Sequence, residues 1–291
     1  MGESFDVRLA SAYSTLSTKL QQAADFVVEN PVDTATRSLR SVAGKSGVAP
    51  ATFTRLAQAL KYDSFEALRD VIRASINRKV DSFSTRVDRL HSQHGTEGSD
   101  FTSAHMEACL DNIRKLGSEI DRTQLDQTVD RLGKARKVML LGSLGSAGIA
   151  EYMSYMASFL TDNWALAGRG GASLGSIIGA MDERDALIVI TKPPFAQRVL
   201  NAAKLASERG VYVIVISDSY ACDALRYASS SFIIPTHTPH FYSSYTSTIF
   251  LVETIVGKLA ACADASAGER IAMIEQHNRR LQETSNGTNL N

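Results

Sequence analysis

Residues Ser38–Leu60 read SLRSVAGKSGVAPATFTRLAQAL, which has the spacing of two short helices joined by a tight turn. Apolar residues recur every three or four positions on both sides of Gly47, as they do on the buried face of a helix. Pro50 suits the first turn of the second helix. The stretch therefore predicts a helix–turn–helix motif.

The second predicted helix has an exposed side of small and hydrogen-bonding residues, namely Ala51, Thr52, Thr54, Arg55 and Gln58. Arginine and glutamine pair with base edges in the major groove, and threonine bonds phosphate or touches a thymine methyl. We expect Arg37, Lys45 and Lys61 to lie near backbone phosphates. The alternative is a three-helix packing module that touches no DNA.

Charge is unevenly distributed along the chain, which has 31 basic and 31 acidic residues in total. Residues 34–79 hold nine basic and three acidic side chains, so this segment carries +6 and the rest −6. A basic module attached to a mildly acidic body is typical of a nucleic-acid reader joined to another domain.

The composition excludes several classes of protein. The chain has 291 residues, 44% of them hydrophobic, with three scattered cysteines. These values argue against disorder, a disulfide scaffold and a zinc knuckle. No apolar run approaches the ~18 residues of a membrane helix, and the first residues show no secretory signal, so we expect a cytoplasmic protein without a membrane partner.

The chain is predicted to form two domains. Residues 1–80 contain helix signals and almost no strand signal, so we assign them to an all-α helix–turn–helix domain. Residues 81–100 include the polar stretch HSQHGTEGSD, interpreted as a linker or as the exposed turn after a connecting helix. A second domain follows over residues 101–275, and residues 276–291 are predicted to be a polar tail.

Continuous apolar runs in the second domain alternate with helix-compatible segments, a pattern typical of a doubly wound α/β domain with a parallel sheet. The four predicted strands are residues 137–141, 186–190, 211–216 and 231–234. Ligands bind outside the carboxyl ends of such strands. The candidate effector-binding residues there are Gly142, Ser143, Gly145, Ser146, Thr191, Lys192, Arg198, Ser217 and Asp218.

The first of these strand ends is a glycine-rich loop followed by a helix, an arrangement that attracts anions through backbone amides. A later stretch, Pro239–Tyr245, combines aromatic rings with hydroxyls and is predicted to be a lid or a contribution from a partner subunit; Tyr242 and Ser244 are its candidate contacts. No metal-ligand spacing or nucleophile elbow is present, so we expect no metal, no cofactor and no catalytic residue.

The two halves together resemble the RpiR/MurR family of bacterial transcription regulators. The N-terminal resemblance lies in Val42-Ala-x-x-Ser-Gly-Val-x-x-Ala-Thr-x-x-Arg55, with Leu60, Tyr62 and Phe65 after it. In the second half, the similar pieces are Gly142 with Ser146, the segment Ala203–Gly210, Ser217-Asp218 and Phe241–Ser244. The resemblance implies a sugar isomerase (SIS) domain that senses a sugar phosphate or related metabolite.

The sequence departs from the family pattern at the second strand end. Many SIS domains carry a Ser/Thr- and Gly-rich phosphate loop there, whereas this chain has Thr191-Lys-Pro-Pro-Phe-Ala196. The two prolines lack the backbone N–H groups that an anion would use. Leu144 likewise replaces a common glycine. The residues therefore indicate effector sensing without specifying a sugar phosphate, and Lys192 and Arg198 are the candidate charges for a carboxylate or a phosphate.

The sequence thus predicts a regulator that binds a double-stranded DNA operator as a homodimer or homotetramer and responds to a small-molecule effector. The alternative is a sugar-phosphate isomerase with a helical N-terminal appendage. That enzyme would need a general base near the glycine loop, where Glu151 is the one acidic residue on the predicted helix.

Overall fold

A computed structural model describes residues 5–80, 83–94, 100–168, 171–220 and 222–284. The chain divides into two compact units, Met1–Ser99 and Asp100–Asn291. Each unit has its own apolar core. The fold class predicted from the sequence, an all-α unit followed by an α/β unit with a parallel sheet, is confirmed.

The first unit is helical throughout its described residues. Its elements are α1 (Phe5–Ala12), a 3-10 helix (Tyr13–Thr15), α2 (Thr18–Glu29), α3 (Pro31–Thr36), α4 (Leu39–Ser46), α5 (Pro50–Ala59), α6 (Phe65–Val80) and α7 (Phe83–His94). The fully buried ring of Phe53 lies at the centre of the core, edge-on to Phe26 and Phe65 with centroids 6.3 and 5.8 Å away. Aromatic rings prefer this edge-to-face geometry, which fixes α5 against its neighbours.

Within residues 81–100, predicted to be a linker or the exposed turn after a connecting helix, α7 occupies Phe83–His94. Phe83, Val87 and Leu90 recur at helical spacing and supply the apolar stripe that a helix needs. Residues 81–82 and 95–99 lie outside the described part of the chain.

The second unit is a five-stranded parallel sheet between two helical layers. Its elements are α8 (Phe101–Glu119), α9 (Arg122–Gly133), β1 (Val138–Gly142), α10 (Ser146–Ser158), β2 (Trp164–Leu166), α11 (Leu174–Gly179), β3 (Ala186–Ile190), α12 (Gln197–Glu208), β4 (Tyr212–Ser217), a 3-10 helix (Asp223–Tyr227), β5 (Ser230–Ile233), α13 (Thr246–Cys262) and α14 (Ala265–Arg280). Four strands match the predicted ones. The strand Trp164–Leu166 was not predicted, since three residues are too few to show a pattern.

The strand order is β2-β1-β3-β4-β5, with every neighbouring pair parallel. The chain winds outward in opposite directions from β1 and β3, so the topological switch point lies between these two strands. Helices α8, α9, α10 and α13 pack on one face, and α11 and α12 pack on the other.

The predicted polar tail over residues 276–291 begins within α14, which continues to Arg280. Asp264 caps this helix by accepting a hydrogen bond from the Ser266 backbone N–H at 2.9 Å. Basic residues occupy its last turn, where they complement the helix dipole. Residues 285–291 lie outside the described part of the chain.

Candidate functional site

Local contacts shape the turn between α4 and α5. The Ser38 hydroxyl caps α4 by accepting a hydrogen bond from the Ser41 backbone N–H at 3.3 Å. Gly47 has a φ of 68°, a left-handed conformation that favours glycine. The Ser46 hydroxyl then accepts a bond from the Val48 N–H, and the buried Val48 side chain fills the space between the helices. The predicted helix–turn–helix motif is therefore present.

The exposed face of α5 consists of residues three and four positions apart, namely Ala51, Thr54, Arg55 and Gln58. Thr54 is half-buried, and the other three are exposed. Thr52 is 4% exposed and lies with the core residues Phe53 and Leu56. Its predicted place on the exposed side is therefore wrong, because position 52 falls on the apolar stripe of the helix.

Two of the predicted phosphate-contacting residues share a carboxylate. Arg37 Nε and Lys45 Nζ each lie 2.5 Å from an oxygen of Asp33, and together they hold the pKa of that carboxyl below its usual value. The positive electrostatic potential around Arg37 and Lys45 is consequently reduced. Lys61, at the carboxyl end of α5, is exposed and has a φ of 60°.

The second candidate site is the crevice at the carboxyl ends of β1 and β3. The chain there turns sharply into α10: an added Cβ on Gly142 would lie 2.2 Å from the Ser146 backbone oxygen. The Ser146 and Ala147 N–H groups donate to the carbonyls of Ser143 and Leu144. Two of the amides that an anion would use are thus occupied within the loop itself.

Tyr242 and Tyr245, in the segment that precedes α13, pack over this loop. The Tyr245 and Ser146 hydroxyls lie 2.9 Å apart. An added Cβ on Gly145 would lie 2.7 Å from the Tyr242 hydroxyl, and the rings of Tyr242 and Tyr245 are stacked. The aromatic cover therefore comes from the same chain as the loop.

Lys192, directly after β3, is 7% exposed. Its ammonium donates to the Ser244 carbonyl at 2.9 Å and lies 3.7 Å from the centroid of the Tyr245 ring. Burial lowers the pKa of Lys192 to about 8, and the negative charge of Asp218 opposes that change. The amine is thus a buried cation held at the switch point.

The other strand-end candidates are distributed over both faces of the sheet. Thr191 and Ser217 are buried and, by strand alternation, belong to the α11–α12 side, whereas Lys192 and Asp218 belong to the opposite side. Asp218 accepts a hydrogen bond from Thr236 at 3.1 Å. Arg198 is exposed on α12, with one guanidinium nitrogen close to Gly168. Among the described residues, no hydrogen bond or ring contact joins Arg198 to Lys192.

Some residues near the crevice were not singled out from the sequence. Cys109 on α8 lies 3.8 Å from the Ser244 hydroxyl and accepts a bond from Thr246, while His105 contacts Thr238. These residues are more than 125 positions apart in sequence. Only the fold brings them together. Tyr245, by contrast, stands in the aromatic-hydroxyl stretch that the sequence analysis noted.

Glu151, the carboxylate of the isomerase alternative, lies on α10 with one carboxylate oxygen buried.

Within the described ranges, no group of three or more His, Cys, Asp or Glu residues could hold a metal ion. In the same part of the chain, no single helix is long and apolar enough to span a membrane, and α13 with α14 reaches that composition only as a pair bent by 115°.

Comparison with known proteins assigns the second unit to a domain family: residues 131–257 match the SIS domain. The chain is 21% identical over 190 residues to an uncharacterised HTH-type transcriptional regulator from Clostridium perfringens. That match covers 62% of this chain and 64% of the relative. The chain therefore spans slightly less than two thirds of the length of the relative it matches.

Solved structures show the same fold. The NanR protein of Vibrio vulnificus, determined in complex with ManNAc-6P, aligns with a TM-score of 0.57 and 17% identity, covering 97% of this chain and 99% of that one. The sugar isomerase domain of an RpiR transcription factor from Sphaerobacter thermophilus aligns with a TM-score of 0.54 and 18% identity, covering 60% and 96%. The chain is thus a helical unit joined to a SIS domain, an architecture consistent with the RpiR/MurR family that the sequence resembles.

Proposed function

We propose that this protein is a DNA-binding transcriptional regulator that is not an enzyme and whose SIS domain senses a small metabolite. The observation that carries the proposal is the exposed face of α5, where Arg55 and Gln58 project from a helix that follows a helix–turn–helix turn. Neither side chain forms a hydrogen bond or ion pair within the described chain, so both are free to reach base edges. The relative from Clostridium perfringens supports the same role.

The geometry of the effector crevice supports sensing at the switch point. The crevice combines hydroxyls, aromatic rings and the buried Lys192 ammonium, which suits a small polar ligand. NanR was determined with a sugar phosphate, and we propose that this chain takes a carbohydrate catabolite, namely a sugar phosphate, a sugar acid or a related compound. The ligand changes operator affinity only through a different binding free energy for two arrangements of the protein.

Self-association belongs to the same proposal. A dimer presents two reading helices to a palindromic operator whose half-sites are about one helical turn apart. Tyr152 and Tyr155 on α10 and Phe250 on α13 are exposed aromatic residues of the SIS domain, and Tyr155 is 63% exposed. Exposed apolar side chains of this kind are typical of a subunit interface, so we propose a homodimer or homotetramer.

The test measures binding of the full chain to its own promoter fragment and to a random duplex of equal length over a range of salt concentrations. We expect clear preference for the promoter and a negative slope of log affinity against log salt. Arg55→Ala is expected to weaken promoter binding by roughly 10-fold or more. Arg226→Ala, an exposed arginine in the other unit, is the matched control.

The same experiment separates the regulator from the isomerase alternative. Equal affinity for both duplexes at near-physiological salt would reject the proposed function. Turnover of a sugar phosphate by the wild type, abolished in Glu151→Gln, would favour the enzyme instead.

A further inference from the structure

The chemistry around Lys192 narrows the class of ligand that the crevice accepts. An ammonium group has three N–H donors, and the Ser244 carbonyl accepts one of them at 2.9 Å. The Tyr245 ring faces the same group without providing an oxygen acceptor. Within the described chain, Lys192 has no other hydrogen-bond partner, although its side chain is almost fully buried. A buried charge in this state needs further acceptors.

Several backbone donors near Lys192 are missing or already bonded, which disfavours a highly charged anion. Pro193 and Pro194 have no N–H groups, and the N–H groups of Ser146 and Ala147 are bonded within their own loop. The Ser146 hydroxyl is paired with Tyr245. A phosphoryl group carries up to two negative charges on three terminal oxygens and needs many donors, whereas a carboxylate carries one charge on two oxygens.

The balance of charge around Lys192 also favours a carboxylate ligand over a phosphate. Asp218 lies on the Lys192 side of the sheet, and its negative charge favours the protonated forms of both Lys192 and Tyr245. One cation beside one carboxylate leaves little net positive charge for a dianion. A single carboxylate of the ligand is therefore the better match to the two free ammonium donors.

From this geometry we propose that the effector binds through a carboxylate group that accepts hydrogen bonds from Lys192, so that the regulator senses an organic acid in preference to a phosphate ester. This inference rests on the proposed function, because it assigns the ligand class to the same crevice.

The test compares thermal shifts of the full chain in acetate, malonate and D-gluconate with shifts in inorganic phosphate and D-glucose 6-phosphate, at constant ionic strength and pH 7. We expect at least one carboxylate to raise the Tm by roughly 3 °C or more at ten times its Kd, and the phosphates to raise it less. Lys192→Met and Lys192→Gln should lose the carboxylate shift, and Lys192→Arg should retain it. Lys204→Met, a half-exposed lysine on α12, is the matched control.

Each outcome of this test either supports or overturns the proposal of a carboxylate ligand. A phosphate shift equal to or larger than the carboxylate shift, the absence of any shift, or a carboxylate shift that survives both uncharged variants would overturn it. Promoter binding is measured on the same preparations. Retained promoter preference without carboxylate preference rejects this inference alone, whereas lost promoter preference with an intact carboxylate shift rejects the DNA-binding proposal alone.

Discussion

The Tyr245 hydroxyl lies 2.9 Å from the Ser146 hydroxyl, and this contact joins the aromatic segment before α13 to the first residue of α10. The two residues are 99 positions apart in sequence. Burial raises the pKa of Tyr245 to about 12, so its hydroxyl stays protonated at neutral pH and can donate or accept in this contact. The cover over the crevice is therefore attached to the loop that initiates α10.

Removing this hydroxyl should loosen the cover. We expect Tyr245→Phe to lower the free energy of unfolding by about 1 kcal/mol, because the buried Ser146 hydroxyl loses its partner. Urea denaturation measures the change. Tyr227→Phe alters a half-buried tyrosine whose hydroxyl has no hydrogen-bond partner among the described residues, so it should have almost no effect. Equal destabilisation by the two variants would contradict a role for the Ser146–Tyr245 contact.

Substitutions in α5 should divide into those that change the stability of the protein and those that change its DNA binding. Thr52→Ala is expected to destabilise the helical unit by about 1 kcal/mol and to leave promoter preference unchanged, because the side chain is buried. Gln58→Ala should weaken promoter preference and leave the stability of the helical unit nearly unchanged, since the side chain is exposed. Thermal unfolding and duplex-binding titrations on both variants measure this difference. A changed sequence preference in Thr52→Ala would contradict the burial-based assignment.

Lys192 should make stability depend on pH in a defined direction. Its pKa is about 8 in the folded protein, below the ordinary value of 10.5. Below pH 8 both the folded and unfolded states are protonated, and the folded state bears the full cost of a buried charge. Between pH 8 and 10.5 the folded state releases its proton while the unfolded state keeps it, so that cost falls as pH rises.

We therefore expect the stability of the wild type relative to Lys192→Met to increase by roughly 2 kcal/mol between pH 7 and pH 9.5. Urea denaturation at both pH values measures it. The corresponding difference for Lys204→Met should stay flat, because that side chain is 53% exposed. A difference for Lys192→Met that is constant with pH would show that the amine is not buried as a cation.

Removing one partner of the buried ion pair that precedes β1 and β3 should be strongly destabilising. The Asp185 carboxylate is fully buried and accepts two hydrogen bonds from Arg136, at 2.9 and 2.6 Å, and one from the Asp182 N–H. Asp185→Asn should lower the free energy of unfolding by about 2 to 3 kcal/mol. Asp130→Asn, which changes an exposed pair with Lys134, should be nearly neutral in the same denaturation assay.

Gly142 at the end of β1 and Gly148 in the first turn of α10 should respond in opposite ways to alanine. Gly142→Ala would place a methyl group 2.2 Å from the Ser146 backbone oxygen, so we expect severe destabilisation and loss of ligand binding. Gly148→Ala has open space and lies inside α10, so it should raise stability by about 0.5 to 1 kcal/mol. Circular dichroism melting measures both effects. Tolerance of Gly142→Ala would show that the loop can open.

The sequence alone determined the two-part architecture, four of the five strands and the helix–turn–helix motif, because hydrophobic periodicity, turn glycines and capping residues act over a few positions. It also placed Lys192 and the Pro239–Tyr245 stretch among the candidates, since strand ends of a parallel sheet meet at one edge. Its error at Thr52 arose because the phase of a helix decides which side chains are buried. It did not show that α7 and α14 extend into the predicted linker and tail, because their apolar stripes are weak.

Only the tertiary structure decided which candidates meet. Lys192 contacts Ser244 and Tyr245, whereas Thr191 and Ser217 lie on the opposite side of the sheet. These relationships depend on strand alternation and on the packing of α13 against α10. The contacts of Lys192 join residues far apart in sequence, and no local sequence pattern predicts such long-range contacts.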